Sequence, residues 1–277
     1  MSTINNLPTP ITYQGFTGKA ATANARDTIA YGRKIVGGAK EHLNSHATVV
    51  FVPALLAAKA IEEAVSAQVP LIVSVTEHIP VHDMLHIQQI LLTQSGSRLV
   101  GPNCPGIISP GGKCRLRIMP YQQYMPGNVG IVSKSGTLSY GAVGATSCAR
   151  LEQSLVGMGG DVFAGTTLVG ALELFYGDEW TEGIVVIGGI GGEAELRAVE
   201  SIREYYRSSR KLKPIVAMVT GKTAPEEQVM GHAGPVLRPG ERGAEAKATA
   251  LAQARATIVP HPGLIRVEMK RFYDGVQ

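Results

Sequence analysis

Short β-branched and apolar runs bounded by Gly or Pro recur along the chain, at Ile11–Gln14, Thr48–Val52, Leu71–Val75, Arg98–Val100, Val129–Val132, Ser154–Val156, Gly183–Ile187, Ile215–Val219 and Thr257–Val259. Between most of them lie segments of helical period, among them Ala54–Ala67, His82–Gln94, Thr137–Arg150, Glu193–Tyr206 and Glu245–Ala254. Strand alternating with helix predicts an α/β protein with parallel sheets covered on both faces. The stretch Gly101 to Gly127 is rich in Gly and Pro and weakly periodic. It suggests a first domain over 1–105, a linker over 106–125 and a second domain over 126–277. Ligands are expected at the carboxyl ends of the strands in each.

Composition adds limits. In 277 residues, 44% are hydrophobic and 17% charged, which supports a sizeable core and argues against disorder. A net charge of +4 is too mild to argue for nucleic acid. Cys104, Cys114 and Cys148 lack metal or redox spacing and read as reduced thiols, with no metal site expected. No apolar run reaches the roughly 18 residues of a membrane span. Residues 1–25 hold no arginine, so a cytoplasmic protein is expected if the sequence is complete, and a mitochondrial matrix one if a leader was removed.

Several segments carry candidate chemistry. Gln14-Gly15-Phe16-Thr17-Gly18-Lys19-Ala20-Ala21 runs from strand through a turn into a helix expected from about Ala23. Amide groups at a helix start bind phosphate, and glycines let backbone approach it. Such a turn also occurs wherever a strand meets a helix tightly. A nicotinamide reading needs a second strand ending in Asp or Glu about 20 residues on. No such strand is read after Gly38, which disfavours NAD. Val75-Thr76-Glu77 places polar groups at a strand's carboxyl tip. Ser133-Lys134-Ser135-Gly136-Thr137 breaks a strand into small hydroxylated residues before a helix, which suits either an anion or plain capping by Ser135 or Thr137. Met230-Gly231-His232-Ala233-Gly234 sets one imidazole between glycines, open to approach from several sides.

Together these motifs, with Val36-Gly37-Gly38, Phe51-Val52-Pro53-Ala54, Gly101-Pro102-Asn103-Cys104-Pro105-Gly106, Ser133 to Tyr140 and Gly159-Gly160-Asp161, resemble the α subunit of succinyl-CoA synthetase (succinate–CoA ligase) over nearly the whole chain. ATP-citrate lyase is similar in architecture but less so around Asn103-Cys104-Pro105. The resemblance implies a Rossmann-like CoA-binding domain, here shortened, followed by a flavodoxin-like ligase domain. It implies CoA as cofactor, a β-subunit partner carrying ATP or GTP and Mg²⁺, and a small dicarboxylic acid as substrate. The reaction implied is acid + CoA + NTP ⇌ acyl-CoA + NDP + phosphate, passing through a phosphohistidine. His232 matches the phosphorylated histidine. Thr17, Gly18, Lys19, Ala20, Val75, Thr76 and Glu77 match CoA-contacting positions. Tyr140 matches a substrate-site tyrosine, and Ser133, Ser135, Gly136 and Thr137 offer a home for phosphate.

The chain departs from that pattern. A segment carrying a strand and a CoA-contacting lysine is missing after Gly38, with Lys40 nearby. Ala20-Ala21 replaces a Gln/Glu-Gly pair, and Gly141 a glutamate. Gly188-Gly189-Ile190-Gly191-Gly192 has Gly189 where the family has a glutamate that supports the histidine, with Glu193 as a candidate substitute. Two readings result: an active ligase α subunit, and a catalytically impaired paralogue that partners a β subunit or binds CoA.

Overall fold

The computed structural model describes residues 10–33, 35–37, 45–118, 121–122, 124–147, 152–157, 161, 163–231 and 234–275. The chain divides into two compact units, one of Ser2–Tyr121 with Gly157–Thr166, the other of Gln122–Val156 with Thr167–Gln277.

In the first unit, β1 (Ile11–Gln14), β2 (Ile35–Gly37), β3 (Ala47–Val50), β4 (Leu71–Ser74) and β5 (Arg98–Val100) form a parallel sheet in the order β2-β1-β3-β4-β5. Helices α1 (Lys19–Ala30), α2 (Ala54–Ser66) and α3 (Val81–Leu92) link the strands. Val50, Ile61, Ile72, Met84, Ile87 and Leu99 join into a buried core, with Phe163 packed against it. The chain reverses its direction of travel across the sheet between β1 and β3, so their carboxyl ends open a ligand crevice.

The edge strand β2 beside β1 is not among the strands read from the sequence; it precedes Gly38 and ends in Gly37 rather than in an acid, and residues 38–44 lie outside the described residues. One expectation is corrected here. The supposed linker holds a strand pair, β6 (Gly106–Ser109) and β7 (Cys114–Arg117), joined antiparallel. Its pairing depends on glycine: a Cβ on Gly106 (φ 98°) would lie 2.1 Å from the Leu116 carbonyl oxygen.

In the second unit, β8 (Val129–Ser133), β9 (Glu152–Gly157), β10 (Gly183–Gly188), β11 (Ile215–Val219) and β12 (Thr257–Ile258) lie in the order β12-β11-β10-β8-β9. Pairing is parallel from β8 through β12. Counted along the chain, this is the flavodoxin-like order, with its switch point between β8 and β10. All six residues of β10 are buried, as a strand covered on both faces requires. Helices α4 (Gly136–Ser147), α5 (Leu168–Gly177), α6 (Ala194–Ser208), α7 (Ala244–Gln253) and α8 (Ile265–Tyr273) complete the unit. No described helix is long and apolar enough to cross a membrane.

Candidate functional site

The first group of site residues lies at the carboxyl ends of β1, β3 and β4. Register aligns Gln14 with Val50 and Val50 with Ser74, so the loops that follow emerge side by side. Gly15 turns the chain with φ 80°, and a Cβ there would stand 2.6 Å from the Phe51 carbonyl oxygen, so only glycine fits. The Gly18 amide donates to the Gly15 carbonyl at 2.9 Å, closing the turn. Gly18 then acts as N-cap, and α1 starts at Lys19, not near Ala23 as the sequence suggested. Thr17, Gly18, Lys19 and Ala20 are all exposed, and the Lys19 and Ala20 amides have no intrahelical partner by helix geometry. This is a cradle that fits a phosphate group.

Val75, Thr76 and Glu77 follow β4 and are half-buried. The Thr76 hydroxyl donates to the Val52 carbonyl at 2.9 Å and ties this loop to the one after β3. Asn103 fixes the loop from the other side: its amide donates to the Thr76 carbonyl at 2.8 Å, and its Nδ2 donates to Glu77 Oε1 at 3.1 Å. The thiol of Cys104 donates to the Ser74 carbonyl at 3.1 Å, and burial pushes its pKa up to about 12, so it is a packing group.

The second group lies at the switch point of the second unit. Ser133 ends β8 with its side chain buried, and its Oγ donates to the Ser135 carbonyl at 2.8 Å. Ser135 Oγ accepts from the Leu138 amide at 3.3 Å, which caps α4. Plain capping is thus realised, while the amides of Gly136 and Thr137 start the helix without intrahelical partners. Tyr140 lies one turn into α4 and is half-buried. At Gly141, where the family has a glutamate, a Cβ would come within 3.1 Å of the Pro262 ring, a tight contact that requires the ring to shift by a few tenths of an ångström.

The glycine-rich run after β10 is gripped by charges. Glu195 in the first turn of α6 is fully buried. Its Oε1 accepts from the Gly189 amide at 2.9 Å and meets Lys134 Nζ at 3.1 Å. Its Oε2 meets Lys247 Nζ at 2.9 Å. Lys247, buried on α7, also donates to the carbonyls of Gly189 at 3.1 Å and Gly191 at 2.8 Å. Burial works against ionising Glu195, but the Lys134 and Lys247 ammoniums outweigh it and hold the carboxyl below the usual carboxylate range. Glu193, the expected substitute for the lost carboxylate, is exposed at the helix cap.

His232 and Ala233 lie outside the described residues, as does Lys40. The flanks of the histidine loop are in place: the Met230 amide donates to the Pro235 carbonyl at 2.9 Å, and the Glu227 amide to the Leu237 carbonyl at 2.8 Å. Gly191 (φ 72°) lies directly against this loop, since a Cβ there would be 2.2 Å from the Val236 carbonyl oxygen and 3.0 Å from that of Gly234. Sequence reasoning missed Glu195 and Lys247. A signal existed, because Glu195 shares a helical face with Ala198, Val199 and Ile202, and Lys247 one with Ala244, Ala248 and Leu251. A charge on an apolar stripe demands a buried partner.

Comparison with known proteins gives the class, a CoA-ligase with a CoA binding domain. The family model for the CoA binding domain matches residues 39–78, and that for CoA-ligase matches residues 132–257. The chain is 45% identical over 233 residues to the mitochondrial α-2 subunit of ADP-forming succinate–CoA ligase from Trichomonas vaginalis, covering 82% of this chain and 74% of that protein. It is 41% identical over 284 residues to the α 2 subunit from Archaeoglobus fulgidus, covering 95% and 96%. The chain therefore belongs to the family of succinate–CoA ligase α subunits. Its fold is also that of the ATP citrate lyase of Methanosaeta concilii solved with (3S)-citryl-CoA, with a TM-score of 0.81 at 20% identity over 99% of this chain. This chain spans half the length of that lyase.

Proposed function

We propose that the chain is the α subunit of an acid–CoA ligase that forms succinyl-CoA, or the CoA ester of a closely related dicarboxylic acid, with His232 as the phosphate carrier. One observation carries this reading: the loop holding His232 rests through Gly234 and Val236 on Gly191, in a glycine run fixed by buried charges. A histidine is a competent nucleophile and leaving group near neutral pH. An imidazole nitrogen attacks the terminal phosphorus of NTP, the N–P bond forms, and the P–O bond to NDP breaks. The acid's carboxylate then takes the phosphoryl group and returns His232 to its starting state. Resemblance to the family supports a β subunit as the source of NTP and Mg²⁺, and Tyr140 as a contact for the acid.

The CoA thiol then attacks the carbonyl carbon of the acyl phosphate; the C–S bond forms, the C–O bond to phosphate breaks, and inorganic phosphate leaves with the thiol's proton going to phosphate or solvent. Thr17 to Ala20 would hold the phosphates of CoA at the start of α1, and Val75 to Glu77 would line the neighbouring strand end. Ser133 to Thr137 would steady the phosphoryl group, with the Gly136 and Thr137 amides as donors.

The test is labelling of the α–β complex with γ-labelled NTP and Mg²⁺. An acid-labile, base-stable label on the α chain is expected, absent in His232→Asn. No label at saturating NTP refutes the ligase reading. Retained CoA binding by calorimetry in that case identifies the chain as a CoA-binding partner of the β subunit instead.

A further inference from the structure

Four of the five residues from Gly188 to Gly192 have no side chain with which to hold their own conformation. Ile190 anchors the run at one point, packing where a Cβ on Gly221 would come within 2.1 Å of its Cγ1. The rest is imposed from two helices. Lys247 Nζ donates to the carbonyls of Gly189 and Gly191 and pairs with the Glu195 carboxylate at 2.9 Å. Glu195 holds the Gly189 amide from the opposite side. The Gly189 peptide group is thereby fixed at both its N–H and its C=O, and Gly191 carries that position to the Gly234 and Val236 carbonyls.

We infer that Lys247 and Glu195 are positioning residues for His232, acting through the glycine run, an inference that rests on His232 being the phosphate carrier. Their described partners are the glycine run, Lys134 and each other. Each is nearly or fully out of solvent, and their mutual contact spans two helices that are separate in sequence. The buried pair holds both the N–H and the C=O of Gly189 and the C=O of Gly191, and a loop that supports a phosphate carrier needs one fixed geometry.

Lys247→Met removes the three donors at similar length, and Glu195→Gln keeps the side chain's shape while removing its charge. Two measurements are made on each variant in the α–β complex. The first is amide hydrogen exchange: exchange is expected to rise at least tenfold in 189–192 and also in 234–238, with strand β8 and the first unit unchanged. The second is single-turnover labelling by NTP: the rate is expected to fall at least tenfold with KM for NTP and affinity for CoA unchanged. Faster exchange confined to 189–192, or labelling at the wild-type rate in both variants, overturns the inference. A rise in KM at constant rate overturns it as well. If Lys247→Met loses its fold, Glu195→Gln decides. A wild-type complex that takes no label refutes the functional reading instead, and the exchange coupling between the two segments then stands or falls by itself.

Discussion

Replacing Gly189 by glutamate reinstates the carboxylate that the family resemblance places there. The backbone at this glycine is outside the left-handed region, and a Cβ would meet nothing nearer than Lys134, with Cβ at 3.7 Å and Cε at 4.0 Å, which is ordinary contact. A Cβ is therefore accommodated, and it stands beside the Lys134 side chain. As it stands, two ammonium groups face one carboxylate, leaving a net charge of +1 among Lys134, Lys247 and Glu195. At an effective dielectric of about 20, unit charges ~4 Å apart attract by about 4 kcal/mol. Most of that is offset here, because Lys134 is 20% exposed and already paired at 3.1 Å, and Glu195 repels the newcomer. A net gain of about 1 kcal/mol is expected, equivalent to a Tm rise of roughly 2–4 °C. Thermal unfolding in low salt should show it, and the gain should shrink as salt screens the partly exposed partner. In the labelling assay the same variant should phosphorylate at least about tenfold faster, since orienting groups for catalytic histidines are worth orders of magnitude. An unchanged or lower Tm in low salt refutes the electrostatic argument. A higher Tm with unchanged labelling shows that the missing carboxylate does not limit the reaction.

Gly15→Ala forces a side chain into a left-handed turn and against the Phe51 carbonyl. A loss of at least ~1–2 kcal/mol in urea unfolding and a weakened CoA affinity by calorimetry are expected, and full affinity would show that the turn is not the cradle. The depressed Glu195 carboxyl contributes stability that is fully present above the unfolded value of 4.5 and is lost as pH falls through its lower folded value. Glu195→Gln should flatten the acid limb of the stability–pH curve, and an unchanged slope there would contradict this. With their thiols pushed up to about 12 and about 11, Cys104 and Cys114 should resist alkylation at pH 8 until the protein is unfolded, which mass spectrometry of iodoacetamide adducts will show. Rapid modification of either in native buffer would contradict their burial.

The parallel strands were legible because buried parallel strands are continuous apolar runs set off by turn residues, as in Gly183–Gly188. The β6–β7 pair was not. Its second strand, Cys114-Arg115-Leu116-Arg117, buries two arginines, and a charged side chain reads as exposed until its partners are seen. For Arg115 those partners are Asn24, Asp27 and Thr28, at 87 or more positions away in the chain. β2 escaped for a simpler reason: three residues are too few to show a period. At the candidate site, the glycine run was visible as composition, and the absence of a carboxylate at Gly189 followed from the family resemblance. What the run rests on was hidden, since Lys247 stands 58 positions beyond Gly189. Nearness in sequence points to Glu193, whereas the helix turns Glu195 inward and leaves Glu193 in solvent.

The return of Gly157–Thr166 to the first unit has a practical consequence for anyone dissecting the protein. Gly165 lies against the Leu99 side chain, and its amide donates to the Gly101 carbonyl at 2.8 Å. Thr166 Oγ1 donates to the Leu99 carbonyl, and Phe163 covers the core cluster. A fragment cut at Tyr121 would leave the end of β5 uncapped and Leu99 facing water. The first unit is thus not a contiguous gene segment, and any exchange of CoA-binding units between relatives must carry these ten residues along, spliced from the stretch that begins at the last residue of β9.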